Sequence, residues 1–429
     1  MKQHPIVIIG GGLSGLICAY TIRTHSNCPV VILEQGDNYV DRFHNSSENM
    51  MIGVGGAGTL YGGKMCLPPA SGGIWNKTKA DNVEFNQWYS NIVSKWFVKE
   101  TKIMRPNCDE ILDVNYGLWE KHFDSLLLLE DEMNCFVQNV INSVMNSGVA
   151  IRTNCRLLDF SPYIDDVIVH FTNELGNEEQ ITAANVVVAT GRVSSTEIER
   201  WFSPDNIVQQ LPDLGIRISM KRKDNYFFSQ IGKDVKLKAQ FNDKCVRTFC
   251  VCSGGHATKV QLNQVQYYDG HFGKEITDTI NLGILVRSHH HVGPQAAIRY
   301  CEKLSPYIDS DISLEDIMQN SRLLKGFGEY HDVVETIRDF VNLLQDKGII
   351  VSPFNQISVM LPSVDHLNPV VVTDSRFESN IPGVFVIGDA AGISRGFVQS
   401  MWSGYCAGSA IASQVNNYYS LSQSVIRHG

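Results

Sequence analysis

Three glycines, Gly10, Gly12 and Gly15, follow the apolar run Ile6 to Ile9 in the order G-x-G-x-x-G. An acidic residue, Glu34, closes the next apolar run, Val30 to Leu33. This spacing suits a dinucleotide. Gly10 permits a tight turn, Gly12 lets backbone approach a pyrophosphate, and Gly15 lets a helix lie close to a strand. Leu13 and Ser14 open that helix, whose free N–H groups and partial positive charge favour phosphate. Glu34, with Gln35 beside it, suits a ribose diol and repels a 2′-phosphate, which disfavours NADP here.

The far end narrows the choice of dinucleotide. "IPGVFVIGDAAG" reads as a buried strand ending in Gly388-Asp389, and a helix opens at "RGFVQS". Asp389 suits the hydroxyls of a ribitol chain. The amides of Gly396, Phe397 and Val398 suit the pyrimidine oxygen of a flavin. NAD has no ribitol, so the paired half-sites point to FAD. No His or Cys stands in a context that implies a covalent flavin link, so the FAD is expected to be non-covalent. Ala189, Thr190 and Gly191 in "VVVATGR" mark a turn beside the dinucleotide, and Leu157 is a further candidate contact. Gly56 and Gly58 would let the loop Gly53 to Gly73 approach the flavin or pyrophosphate.

Four side chains are candidates for the chemistry. Lys64 either neutralises an anion or is a solvated surface charge. Cys250 and Cys252 form C-x-C, and on a strand two residues apart share a face. They read as a redox pair, as metal ligands, or as buried structural thiols; two thiolates alone do not make a zinc site, and no metal is expected. His256, after Gly254-Gly255, is a candidate acid–base residue. The run His289 to His291 reads as loop, because consecutive strand residues alternate faces.

These residues need a scaffold. Ile6 to Ile9, a helical pattern from Leu13 to Arg23 and Val30 to Leu33 make a βαβ start. Helical patterns run from Val83 to Val98 and from Leu118 to Met145. "AIRTNCRLLDF" and "DVIVHFTN" read as a strand pair, and "NVVVATGR" as a buried strand. Alternating stretches between Leu214 and Arg287, such as "GIRISM" and "RTFCVC", suggest an antiparallel sheet. Helical patterns return at Pro294 to Leu304, Val333 to Lys347 and Phe397 to Gln414. The expected fold is α/β: a three-layer, Rossmann-like FAD-binding domain with a parallel sheet, interrupted by a mainly antiparallel α+β substrate domain. The expected limits are 1–71, 150–211 and 347–429 for the FAD domain, 72–149 for a helical segment packed on it, and 212–346 for the substrate domain.

The 429 residues, 43% hydrophobic and 19% charged, describe an ordinary globular chain. A net charge of −9 argues against broad binding to nucleic-acid phosphates. Eleven scattered cysteines read as reduced thiols. No run reaches the length of a membrane span, and a cytoplasmic protein is expected.

The chain resembles the glutathione-reductase-like FAD superfamily. More narrowly, it is similar to bacterial FAD-dependent dehydrogenases that carry a "GGAGT…GKL" loop and an "FCxCPGG" segment. Here these read "GVGGAGTLYGGKM" and "RTFCVCSGG", and "LGIRISM" and "GDAAGISRGFVQSMWSG" match as well. The resemblance covers nearly the whole chain in order, and it does not name a substrate. Ser253 stands where that family usually has Pro, His256 where it often has an acidic residue, and Tyr61-Gly62 where it has Ser-Asp. These departures fall on the expected substrate side.

The expected function is an FAD-dependent oxidoreductase, a dehydrogenase or reductase that exchanges a hydride with a small organic substrate. No second G-x-G-x-x-G marks a separate NAD(P)H domain, so NAD(P)H would serve only as a transient electron donor. The alternatives are a flavin-dependent RNA-modifying enzyme, a flavoprotein redox sensor built on Cys250 and Cys252, and a prenyl-chain reductase.

Overall fold

The computed structural model describes residues 4–44, 50–68, 70, 73–78, 82–97, 110–114, 117–123, 125–262, 264–319, 321–365 and 368–428. The expected limits at 1, 71, 72, 98 and 429 lie outside these residues.

Ile6–Ile9 takes the centre of a five-stranded parallel sheet. The order across it is Val384–Val386, Asn185–Val188, Ile6–Ile9, Val30–Leu33 and Ala150–Arg152. All four residues of Ile6–Ile9 are buried, as a parallel strand covered on both faces requires. Alternation then sends side chains to two different cores. Ile6 and Ile8 pack with the helices Leu13–His25, Glu130–Asn146 and Phe397–His428. Val7 and Ile9 pack against a three-stranded antiparallel sheet, Arg156–Tyr163, Asp166–Thr172 and Glu178–Ala183. The layers are therefore helices, parallel sheet and antiparallel sheet. The chain's two ends meet in the first layer, where the helix Leu13–His25 lies along the C-terminal helix.

The second large element is an eight-stranded antiparallel sheet. Its order is Ile312–Ser313, Ser358–Asp365, Asp213–Lys221, Thr279–Arg287, Lys244–Ser253, Asp234–Phe241, Leu118–Phe123 and Glu110–Asp113. Helices Gly293–Leu304 and His331–Asp346 cover it through one continuous apolar core. Three of its strands come from outside 212–346: Glu110–Asp113 and Leu118–Phe123 before it, and Ser358–Asp365 after it. A separate hairpin, His256–Leu262 with Val265–His271, projects from it toward the parallel-sheet unit.

One segment departs from the expected helix over Leu118 to Met145. Leu118–Phe123 and Ser125–Leu128 are strands, and the helix spans only Glu130–Asn146. A short apolar run has no period that separates strand from buried helix. Here Leu126 to Leu128 pair with Met65 to Gly63 across the chain, and that partner decides the matter. The helix begins where acidic residues do: Glu130, Asp131 and Glu132 fill its first turn, and Glu132 accepts the N–H of Leu129 at 2.9 Å. Among the described residues, no helix is long and apolar enough to cross a membrane.

Candidate functional site

A cleft of about 580 Å3 opens between the C-terminal ends of the parallel strands and the face of the eight-stranded sheet. Its first wall is made of backbone. The turn after Ile6–Ile9 has Gly10 at φ +109, and a Cβ there would stand 2.4 Å from the carbonyl oxygen of Ala189. A Cβ on Gly15 would stand 2.1 Å from the oxygen of Gly10, so only glycine lets the helix approach its strand. The second glycine loop lies alongside the first, where Gly55 donates to the oxygen of Gly11 at 2.9 Å.

Glu34 fastens both loops. Its Oε2 accepts the N–H of Gly11 at 2.6 Å, and its Oε1 accepts those of Gly36 and Gly53, each at 2.9 Å. The carboxylate still lines the cleft, but three amides already hold it. Behind the second loop lies Arg42, fully buried, which donates to the oxygens of Val54, Met50 and Gly56.

At the other end of the cleft, Asp389 follows the edge strand Val384–Val386. Its Oδ2 lies 3.5 Å from Nε of Arg192, while its Oδ1 is buried without a hydrogen-bond partner among the described residues. Burial pushes the Asp389 carboxyl up, and Arg192 opposes that shift. Gly396 and Phe397 stand at the start of the C-terminal helix and line the same cleft. The Phe397 ring packs against Gly58 and Gly63.

The second wall is made of side chains. In the strand Lys244–Ser253 the register breaks between Phe249 and Cys252, and Cys250 adopts φ +44. This bulge brings the sulfurs of Cys250 and Cys252 to 3.7 Å from each other. Buried charges grip the backbone between them. Arg217, fully buried, donates to the oxygen of Cys250 at 2.7 Å and to Oδ1 of Asn281 at 2.7 Å. Oδ1 of Asp234 accepts the N–H of Val251 at 3.1 Å, and Nζ of Lys64 donates to the oxygen of Val251. Lys64 and Asp234 are themselves ion-paired at 3.0 Å, with side chains 4% and 6% exposed. Burial works against the Lys64 charge, but Asp234 and the neighbouring thiols outweigh it and hold the ammonium above the usual lysine range. The hydrogen bond between the sulfurs splits the two thiols: Cys250 is pushed well up and Cys252 is held down, the latter with help from Lys64 and Arg217.

Of the residues singled out from sequence, most line this one cleft: Gly10, Gly12, Leu13, Ser14, Glu34, Gln35, Gly56, Gly58, Lys64, Leu157, Ala189, Thr190, Gly191, Cys250, Cys252, Asp389, Gly396 and Phe397. Gly15, Gly388 and Val398 stand behind its walls. His256 is not brought to the cleft. It sits in the hairpin edge-on to Tyr61, with ring centroids 6.4 Å apart. Its register partner, His271, faces the cleft instead. Burial lowers His271 to about 4, so its ring is neutral at physiological pH. Its Nδ1 is buried with no hydrogen-bond partner among the described residues.

His271, Asp234 and Asp269 sit in no motif, and Arg192 and Arg217 lie within "VVVATGR" and "LGIRISM" without a spacing that marks them as site residues. The one available signal was the alternation of "QVQYYDGH", which puts Tyr267, Asp269 and His271 on one face of a strand. A polar seam ties the two units together beside the cleft. Asp365 accepts from Arg247 at 2.7 Å and from Arg395 at 2.9 Å, and lies 3.8 Å from Arg192.

Residues 8–40 match a family model described as an NAD(P)-binding Rossmann-like domain. No curated protein matches the chain. Among solved structures, the chain is similar to a flavoprotein/dehydrogenase from Cytophaga hutchinsonii, at 11% identity over 97% of this chain and 79% of that one, with a TM-score of 0.43. It is similar to the tetracycline destructase Tet(51), at 14% identity over 97% and 82%, with a TM-score of 0.40. It is also similar to aklavinone-11 hydroxylase, solved with FAD and aklavinone, at 13% identity over 97% and 63%, with a TM-score of 0.42.

Proposed function

We propose that the chain is an FAD-dependent oxidoreductase acting on a small organic substrate. One observation carries this reading: the glycine cradle and Asp389 with the start of the C-terminal helix, distant in sequence, line one continuous cleft. The residues present fit the group. A wall without side chains suits the pyrophosphate. The orphaned buried oxygen of Asp389 suits a ribitol hydroxyl. The opening amides of the C-terminal helix suit a carbonyl oxygen that gains negative charge.

When bound, FAD supplies the hydride chemistry. The chain supplies position and electrostatics. Gly10, Gly12, Leu13 and Ser14 hold phosphate, and Glu34 and Gln35 face the ribose end. Gly56, Gly58, Leu157, Ala189, Thr190 and Gly191 shape the wall, with Gly396, Phe397 and Val398 at the ring end. Lys64 acts by positioning: its charge is spent on Asp234 and on the Val251 carbonyl, not on an incoming anion. His271, neutral and partnerless at Nδ1, is the better proton-handling candidate than His256. NAD(P)H would serve as a transient donor. We further propose that the parallel-sheet unit carries the cofactor and the eight-stranded sheet presents the substrate.

The test is the purified chain. It should be yellow, and acid should release a flavin identified as FAD by mass. Asp389→Ala should release it more readily. A colourless protein that takes up NAD and not FAD overturns the proposal.

A further inference from the structure

We infer that Cys250 and Cys252 form a dithiol–disulfide couple that exchanges two electrons with low-molecular-weight thiols and disulfides entering the cleft. The inference goes beyond the flavin reading and does not depend on it.

The geometry is not that of a strand. Residues i and i+2 of a regular strand stand roughly 6.6 Å apart. A disulfide needs Cβ atoms about 3.5–4.5 Å apart and a sulfur–sulfur bond of ~2.05 Å. The bulge brings the two sulfurs into contact at 3.7 Å. It does so by holding a non-glycine residue at φ +44, a conformation that persists only where the surroundings impose it.

The surroundings here are three buried charged side chains from three strands: Arg217, Asp234 and Lys64. Each grips a backbone atom between the two sulfurs. Two thiols packed as apolar filler would need none of them. Among the described residues no group of three or more His, Cys, Asp or Glu is arranged to hold a metal ion, so the pair lacks the partners of a metal site.

Access and charge divide the roles. Cys250 is partly exposed and lines the cleft, whereas Cys252 is 1% exposed. Lys64 and Arg217 favour one thiolate in the pair. Oxidation then balances. Although the charge rests on Cys252, Cys250 is the more exposed sulfur, so the reactive form is the one in which the proton has passed from Cys250 to Cys252 along their hydrogen bond, and the Cys250 thiolate attacks a disulfide RSSR. An S–S bond to the protein forms and RS⁻ leaves. The Cys252 proton passes to that RS⁻. The Cys252 thiolate attacks the Cys250 sulfur, the protein disulfide closes and a second RS⁻ leaves. The pair is oxidised by two electrons, and RSSR is reduced to RSH and RS⁻.

The test uses the full-length native protein in buffers of graded reduced-to-oxidised glutathione ratio, quenched in acid. Free thiols are alkylated after denaturation and peptides are mapped by mass. The peptide carrying both cysteines should pass from doubly alkylated to a form 2 Da below the reduced, unalkylated mass, reversibly and as a function of the ratio. Cys252→Ser should instead accumulate a glutathione adduct on Cys250, and Cys250→Ser should give neither product. The inference is overturned if both thiols stay alkylatable at the most oxidising ratio while the exposed Cys135 is modified, or if closure occurs only in unfolded protein. The readout needs no flavin, so its failure is distinguishable from failure of the oxidoreductase reading.

Discussion

The two walls of the cleft are built on opposite principles. The cradle wall is built around glycines. Its shape comes from glycines at positions where a Cβ would collide with backbone, as at Gly10 and Gly15. The opposite wall is dense with charge, and it forces a cysteine into a conformation that glycine would adopt freely. The first wall is set by local residue choice. The second exists only while Lys64, Asp234 and Arg217 converge from separate strands. A local device tolerates change elsewhere in the chain, whereas a convergent one fails if any contributor is lost.

The sharpest way to break this contrast is to remove one charge. Among the described residues, Lys64→Ala leaves Asp234 buried with the more distant Lys236, at 3.9 Å, as its remaining ion-pair partner. Uncompensated buried charges cost about 3–5 kcal/mol. We expect denaturant melts to show a loss of that order, and the double change Lys64→Met with Asp234→Asn to recover much of it. A double variant as unstable as the single one would show that the charges are not acting as a pair.

The cradle should break differently. Gly15→Ala drives a Cβ into the oxygen of Gly10, and we expect a loss of about 2–3 kcal/mol by overpacking. No second-site charge change should rescue it. On the proposed reading flavin content should fall with it, because the strand and helix that would hold the phosphates move apart.

A smaller effect separates the walls by pH. His271 titrates near 4 in the folded chain against about 6.5 when exposed, because burial disfavours its charge. The unfolded chain therefore takes up the proton first, and stability is lost as pH falls from about 6.5 to 4. Comparing wild type with His271→Gln across that window should isolate a contribution of up to about 3 kcal/mol, reduced by solvation of its partly exposed ring. Parallel curves would mean that His271 is better solvated than the cleft geometry requires.

The smallest expected effect is at Asp389. Replacing it with Ala removes the acceptor proposed for the ribitol chain, and we expect roughly tenfold weaker FAD retention by dialysis, about 1.4 kcal/mol. Apo stability should change little: the contact of Oδ2 with Arg192 is lost, but Arg192 keeps Asp365 at 3.8 Å and the burial that disfavours the Asp389 charge is relieved. Unchanged retention would remove Asp389 from the cofactor site.

The cradle was readable in advance because each of its requirements is local. A turn needs φ > 0, a helix needs room to approach its strand, and both demands fall on single glycines at fixed spacing. The same holds for the parallel strands, whose unbroken apolar runs signal two covered faces. The C-x-C pair was visible too, but not its geometry: alternation placed the sulfurs on one face, whereas the bulge that brings them together needs partners up to 187 positions away. The Leu126 to Leu128 run reads as helix in sequence because its strand partners, Met65 to Gly63, lie 61 to 65 positions upstream. His271 lines the cleft and its register partner His256 does not, because which residues of the hairpin turn to the cleft depends on how the hairpin docks.

Sequence alone thus determined the elements whose side chains answer to their own neighbours along the chain: the βαβ start, its glycines, and the strand that ends in Asp389. Tertiary structure decided which charges are spent on holding backbone and which groups are left facing the cleft. The reason is physical. A backbone conformation is selected within a few residues, but burying a charge is tolerable only when its partner arrives, and partners arrive through the fold.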